Sequence, residues 1–188
     1  IYSNAALNLT PPIEPNHNGN DVTFNFDVKN YELGIQTNSI NAKELANSSK
    51  GQHIHLILNN KPYSAHYDTS FEKSIPNGVH HLVAFLSRSY HESVKNQNSV
   101  VVQKLIIGEK TIDTAKVDIE APTLIYSRPK GKYKGKQREK ILLDFFVLNT
   151  SLSKEGNKVK AIINNEEFLI TDWAPYTISG LPSGENTI

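Results

Sequence analysis

The chain has 188 residues, of which 38% are hydrophobic and 21% are charged, and its formal net charge is +1. This composition is typical of a soluble globular protein, and the near-zero charge excludes a bulk electrostatic attraction to nucleic acid. The absence of cysteine excludes thiol catalysis, zinc–thiolate sites and disulfide bonds, and no apolar run approaches the roughly 18 residues of a membrane-spanning helix.

Alternation of apolar and polar residues predicts β-strands along most of the chain. An extended, proline-containing leader is expected at 1–20, and a long polar connection at 34–51 contains a candidate short helix at 41–46. Strands are predicted at 22–28, 71–75, 79–86 and 99–107, with a hairpin at 53–67. Because helical periodicity is nearly absent, the sequence predicts an all-β fold.

The second part of the chain repeats landmarks of the first. The segment that ends at Leu33 recurs at 145–152, the hairpin recurs at 159–168, and the turn at 75–78 recurs at 181–184. Short strands with frequent turns predict two tandem immunoglobulin-like β-sandwiches, at 1–118 and 119–188. The second sandwich is incomplete at its C-terminus, since Ile188 aligns with Leu82. We expect either that the natural chain continues or that a partner completes the sheet.

The hairpin carries a group of histidines on one face. A two-residue turn at Asn59 and Asn60, which tolerate the positive φ of a type I′ turn, pairs His53 with His66. A four-residue turn at 59–62 pairs His55 with His66 instead. In either pairing the three histidines share one face, and the opposite face is formed by Ile54, Leu56 and Leu58.

The repeat predicts which of these two faces is buried. The apolar face aligns with apolar residues of the second copy, whereas His53 and His55 align with Lys158 and Lys160. Because lysine is rarely buried, we expect the histidine face to be directed to solvent, where the connection at 34–51 can cover it.

A fourth histidine is expected to join this group. The strands at 53–58 and 79–86 are predicted antiparallel neighbours, so His91, which follows the second strand, should lie within about 12 Å of His53. Neutral imidazoles bind Zn²⁺ or Cu²⁺ well, which makes His53, His55, His66 and His91 a candidate zinc or copper site. The alternative is a set of surface histidines that hydrogen-bond to neighbours or face a partner protein.

Two other surfaces are candidates for contacts. Val83 and Phe85 lie on the face of their strand opposite its predicted core residues. This position predicts either an exposed patch for protein contact or a surface covered by the second domain or by the connection at 34–51.

The second surface is basic, because Lys or Arg occupies every even position from 128 to 140. In an extended conformation one basic face would contact the phosphates of a lipid head group or lipopolysaccharide, or an acidic protein. The candidate anion contacts are Arg128, Lys130, Lys132, Lys134 and Lys136. The alternative is a solvated loop between two strands.

Three stretches resemble a family of Bacteroidota envelope lipoproteins with tandem immunoglobulin-like domains, some of which are labelled phosphopeptide-binding. They are GQHIHLI at 51–57, AFLSRSYHES at 84–93 and YSRPKG at 126–131. The resemblance implies a secreted precursor, an acylated cysteine upstream of Ile1 and a lipid-anchored protein at the outer membrane, at the cell surface. It implies no established enzyme activity.

Catalytic signatures are missing from the sequence: there is no nucleophile-elbow motif, no His-Glu-x-x-His, no P-loop and no dinucleotide fingerprint. We therefore expect a protein that is not an enzyme. The first functional hypothesis is an accessory lipoprotein subunit of an outer-membrane protein complex. The second is a metal- or small-ligand-binding module that uses the histidines of the first domain.

Overall fold

The structure, a computed structural model, describes residues 2–11, 21–108, 113 and 116–188. The helical segments among these residues are the four-residue helix α1 at Asn41–Glu44 and short 3₁₀ turns at Gln97–Ser99 and Gly135–Arg138. The strands are β1 Ala6–Leu9, β2 Asp21–Lys29, β3 His53–Leu58, β4 Ser64–His66, β5 Ser70–Ser74, β6 Gly78–Ser87, β7 Val100–Ile107, β8 Thr123–Arg128, β9 Ile141–Leu148, β10 Val159–Ile163, β11 Glu166–Ile170 and β12 Tyr176–Ile178.

Two antiparallel sheets pack face to face in the N-terminal part. Their strand orders are β1-β2-β5 and β4-β3-β6-β7. Alternation along β2 buries Val22, Phe24 and Phe26, and alternation along β3 buries Ile54 and Leu56 in the same apolar cluster. The side chains predicted for the core therefore meet between the two sheets.

Part of the predicted leader belongs to this sandwich. Residues 6–9 form β1, which pairs with β2 so that Leu7 lies opposite Val28. Ala5 and Leu7 are buried in the core. The expectation of an extended leader is wrong for these residues, because the edge of β2 offers them hydrogen-bond partners and an apolar surface. Residues 12–20, with the rest of that prediction, lie outside the described residues.

The C-terminal part repeats this pairing with fewer strands. The sheet β8-β9-β12 corresponds to β1-β2-β5, and the hairpin β10-β11 corresponds to β3-β4. Alternate residues of β9, including Phe145 and Val147, pack against β10 and β11. Asn30 and Asn149, which follow β2 and β9, both adopt positive φ, at 53° and 56°. The backbone therefore repeats together with the sequence.

The two parts meet through a third apolar cluster. Ile57 and Phe85, on the face of the β3–β6 sheet away from the first core, pack with Ile125, Phe146 and Leu148 of β8 and β9. The rings of Phe85 and Phe146 stack with centroids 5.1 Å apart. Among the described residues, β3 and β9 are therefore covered by apolar clusters on both faces.

A buried carboxylate lies at the same interface. Asp144 of β9 is fully buried, and its Oδ1 accepts a bond of 2.5 Å from Lys95 Nζ. The hydroxyl groups of Ser93 and Ser127 also donate to this carboxylate, at 3.2 and 2.9 Å. Because these donors come from both parts of the chain, the network links the two parts at a defined position.

The all-β prediction is confirmed, since strands with antiparallel pairing dominate the described residues. The immunoglobulin-like assignment stays a prediction. The predicted boundary at 118/119 falls between β7, which ends at Ile107, and β8, which begins at Thr123.

Candidate functional site

The site lies on the face of β3 that is turned away from the first core. His53 and His55 point to this face, as the alternation predicted, but both have no solvent exposure. The expectation of a solvent-exposed histidine face is therefore wrong. That prediction relied on the second copy, in which Lys158 and Lys160 face solvent. The equivalent face of β3 is instead covered by the C-terminal part of the chain.

The hairpin register decides which residues join these histidines. Asn59 and Asn60 both have φ of 54°, and Lys61 N donates to Leu58 O at 3.0 Å, which is the predicted two-residue turn. One extra residue follows the turn, so Ile54 lies opposite His66 and His55 opposite Ala65. Both predicted pairings of His66, with His53 and with His55, are therefore wrong by one residue. In the second copy Ile163 lies opposite Glu166, directly flanking the turn, so there the two-residue register is kept.

A one-residue shift moves every side chain of β4 to the other face of the sheet. His66 consequently stacks on Phe71 on the first-core side, with ring centroids 3.5 Å apart, and its Nε2 bonds with Ser64 Oγ at 2.9 Å. The assignment of His66 to the candidate metal site is wrong for this reason.

Tyr63 occupies the place that His66 was expected to take. Its ring stacks on His55 at 3.6 Å between centroids with an interplanar angle of 10°, and its Oη lies 3.3 Å from His91 Nδ1. Tyr63 was not among the site residues predicted from the sequence. The available signal was Pro62, because a proline beside a strand marks an edge or a bulge, and a bulge shifts the register.

His91 reaches the site from the loop after β6. It adopts φ of 71°, and His91 N donates to Arg88 O at 2.9 Å in a tight turn. Its Nδ1 lies 3.2 Å from His53 Nε2, so its expected position near His53 is what the structure has.

Three imidazole nitrogens converge at one point. His53 Nε2 lies 2.9 Å from His55 Nε2, and the ligand atoms of His53, His55 and His91 all lie within 4.8 Å of one another. Two nitrogens bound to one ion at 2.0–2.1 Å in tetrahedral geometry lie about 3.3 Å apart. Small shifts of the rings would therefore place all three nitrogens around one ion.

Backbone geometry orients His53. Its Nδ1 bonds with Gly51 O at 2.8 Å, and because a carbonyl only accepts, this nitrogen carries the proton and leaves the Nε2 lone pair free. Gly51 has φ of 87°, and a Cβ there would lie 2.4 Å from Ile35 O. Only glycine fits at this close approach. His55 is held by packing instead, and its Nδ1 has no hydrogen-bond partner among the described residues.

Burial keeps the three imidazoles neutral. Loss of solvation lowers the pKa of His53 to about 4 and that of His91 to about 2, and Arg128 adds to both effects. The pKa of His55 is lowered well below its usual value, first by burial and then by its histidine neighbours. Neutral imidazole is the form that binds a metal ion.

These pKa shifts predict acid sensitivity of the metal-free protein. The unfolded chain binds protons as the pH falls through about 6.5, whereas folded His53 stays neutral to about pH 4. The stability contributed by the neutral histidines is therefore complete above pH 6.5 and is lost as the pH falls towards 4. The loss approaches about 1.4 kcal/mol per pH unit for each histidine.

Urea unfolding of metal-free protein at several pH values between 7.5 and 4.5 measures this dependence. The variant His91→Asn should show a shallower slope, because it removes one of the buried histidines. A stability that stays constant over this range would contradict the burial of neutral imidazoles.

Two cations lie beside Tyr63. Arg128 and Lys130 lie over its ring, at 5.5 and 4.2 Å from the centroid, and Lys130 Nζ donates to Tyr63 O at 2.8 Å. Burial and Arg128 lower the pKa of Lys130. Two of the candidate anion contacts therefore belong to the surroundings of the histidines.

The remaining candidate anion contacts do not continue this arrangement. Lys132 and Lys134 are exposed in an irregular segment, and Lys136 is exposed in a 3₁₀ segment. The predicted single face of an extended segment is wrong, because the chain leaves the strand after Arg128. Anion contact by these lysines stays a prediction.

Val83 and Phe85 lie in the interface between the two parts of the chain. They are 1% and 0% exposed, and both belong to the cluster that includes Phe146. Of the two sequence-based alternatives, the exposed patch for protein contact is wrong, and coverage by the second domain is what the structure has.

Comparison with protein-family models, curated proteins and solved structures finds no match to this chain. Among the described residues there is also no helix with the length and apolarity needed to cross a membrane. The functional inference therefore depends on the histidine site itself.

Proposed function

We propose that this protein binds one metal ion, zinc or copper, through His53, His55 and His91. The observation that carries the proposal is the convergence of three imidazole nitrogens within 4.8 Å. A tight loop and a strand supply these ligands from segments far apart in sequence. The proposed role is binding rather than catalysis: Glu92, the acid adjacent to His91, is paired with Arg88 at 3.3 Å.

The geometry favours a metal ion over a set of surface histidines. Surface imidazoles keep their hydration and need no common orientation, whereas His53 and His55 are fully buried with their nitrogens directed at one another. In the metal-free chain these nitrogens share protons with one another, at 2.9 Å between His53 and His55 and 3.2 Å between His53 and His91. A bound ion would accept the lone pairs of all three rings at once.

The variant His91→Asn tests the proposal with little risk to the fold. Asparagine tolerates the positive φ of residue 91, so the loop conformation is kept while one ligand is removed. Changes outside the ligand shell of metal sites already cost 10–100-fold in affinity, so we expect a loss of at least about 100-fold here. Calorimetry with Zn²⁺ and Cu²⁺ and elemental analysis of the purified protein measure the effect.

The matched control is His81→Asn, which removes a histidine of β6 outside the site. We expect this variant to bind one ion with unchanged affinity. Equal, weak binding by wild type, His81→Asn and His91→Asn would overturn the proposal.

We also propose, as a second role, that the protein is an accessory subunit of an outer-membrane protein complex. The sequence resemblance motivates this role, and an apolar groove of about 370 Å³ on the C-terminal part supports it. Phe168 and Leu169 at this groove are 46% and 64% exposed, which is typical of a protein-contact surface.

Purification from native membranes tests this second role. A membrane protein should co-purify in stoichiometric amount with the wild type and be lost from Phe168→Glu/Leu169→Glu. The control is Lys29→Glu, an exposed change on β2 of the N-terminal part. A monomer without a membrane partner in all three preparations would contradict the proposal.

A further inference from the structure

The charge around the three histidines distinguishes between the ions that they can bind. The group of convergent ligand atoms contains histidines alone, with no Asp or Glu among the described residues. Glu92, which adjoins His91, is paired with Arg88, and Asp144, which bonds to Ser93, is paired with Lys95. The site therefore offers no negative charge to an ion.

The neighbouring charges are positive. Arg128 and Lys130 lie over the outer face of Tyr63, while the other face of this ring covers His55. A cation at the histidines would thus be surrounded by neutral ligands and two further cations. The electrostatic cost of burying an ion grows with the square of its charge, so a monovalent ion costs about a quarter as much as a divalent ion.

The number of ligands points in the same direction. The protein supplies three ligands, so a four-coordinate zinc ion would need a water molecule or an anion as its fourth ligand. Tyr63 Oη lies 3.3 Å from His91 Nδ1 and is therefore the protein oxygen to consider as a fourth ligand. However, the flat stacking of Tyr63 on His55 holds this oxygen out of the plane of the His55 ring, where a bound ion must lie.

Access to the site is restricted as well. Tyr63 stacks on His55, and Tyr67 contacts His53 with ring centroids 5.0 Å apart. His91 alone of the three ligands keeps partial solvent exposure. Three histidine nitrogens without an anionic fourth ligand form a neutral donor set.

We propose that the site selects copper in its monovalent state, Cu(I), bound by His53, His55 and His91 in trigonal coordination. This inference rests on the proposed metal-binding function and names the ion. Cu(I) accepts three nitrogen ligands and brings one positive charge. Zn²⁺ and Cu²⁺ bring two charges and would complete their coordination with water or an anion from solvent.

The experiment compares three ions on the full chain. Metal-free protein is titrated anaerobically with Cu(I) in competition with a chromogenic Cu(I) chelator, and separately with Zn²⁺ and with Cu²⁺. We expect one Cu(I) per chain that is retained against about a tenfold molar excess of Zn²⁺. Binding of Zn²⁺ should be weaker and should increase with added chloride or acetate, which supply the missing negative charge.

Two variants test in the same titrations whether Cu(I) binds at the three histidines. His91→Asn should lose Cu(I), and His81→Asn should retain it. X-ray absorption of the Cu(I) form should show three nitrogen ligands at about 2.0 Å, close to the zinc–imidazole distance.

The outcomes separate this inference from the proposed function. If Zn²⁺ or Cu²⁺ binds as tightly as Cu(I), the preference for a monovalent ion is overturned while metal binding stands. If none of the three ions binds, or if His91→Asn binds like the wild type, both are overturned.

Discussion

Replacing Lys95 by methionine is expected to destabilise the protein by about 3–5 kcal/mol, because it leaves a buried carboxylate without its cation. Asp144 is fully buried, and Lys95 Nζ approaches its Oδ1 to 2.5 Å. Methionine keeps the aliphatic length of the lysine side chain, so the lost interaction is mainly the charge. Urea unfolding followed by circular dichroism measures the change.

The serine donors limit this loss without preventing it. Ser93 N and the hydroxyls of Ser93 and Ser127 continue to donate to Asp144, at 2.9–3.2 Å. Hydrogen bonds satisfy the oxygen atoms, but they do not neutralise a charge in a site from which water is excluded.

A double-mutant cycle provides the control. Lys95→Met/Asp144→Asn should be more stable than Lys95→Met alone, because the unpaired charge has been removed. Lys160→Met removes one member of an exposed ion pair, whose side chains are 51% and 57% accessible, and should change stability by less than about 1 kcal/mol. Equal effects of Lys95→Met and Lys160→Met would contradict the role of burial.

Replacing Phe146 by alanine is expected to cost about 3–5 kcal/mol, the usual range for truncating a buried phenylalanine. Phe146 is 2% exposed and contacts Phe85 of the first sandwich at 5.1 Å and Trp173 at 4.7 Å between ring centroids. The cavity would open in the cluster that joins the two parts of the chain, so the change weakens their attachment.

Phe168→Ala is the matched control, since Phe168 is 46% exposed at the groove of the C-terminal part. We expect a loss below about 1 kcal/mol for this variant. Hydrogen exchange of β3 amides provides a second readout, because Phe146→Ala should reduce protection of the interface. If the two substitutions destabilise the protein equally, Phe146 does not have the packing role assigned to it.

The Asp144 network, Phe146 and the histidine site all lie at or beside the interface between the two parts of the chain. Phe85 contacts both Phe146 and His55, with ring centroids 5.1 and 5.2 Å apart. The C-terminal part therefore helps to exclude water from the histidines. That exclusion keeps the imidazoles neutral and raises the cost of burying a divalent ion.

Much of the fold could be predicted from local sequence patterns. Alternation along β2 and β3 identifies the faces that form the first core, since side chains point to opposite sides of a strand in turn. Asn59 and Asn60 identify the turn because their side chains tolerate positive φ. The repeat of this turn at Asn164 and Asn165 is visible in the sequence for the same reason.

The candidate site could be predicted in part. Residues two apart on a strand share a face, which places His53 and His55 together on β3. The antiparallel pairing of β3 with β6 brings His91, which follows β6, close to them. These relations depend on strand geometry, which is local or involves adjacent strands. The same reasoning could not exclude His66, because Pro62 indicates an irregularity beside the turn but not how many residues it adds to the register.

By itself, the sequence determined the all-β class, the internal repeat and the shared face of His53 and His55, because each depends on periodicity along the chain. Tertiary structure decided which faces are buried and which side chains complete the site. The C-terminal part covers the histidine face, and a one-residue register shift replaces His66 by Tyr63. Both depend on contacts between segments that are far apart in sequence. The residue pattern of one segment carries no information about these contacts.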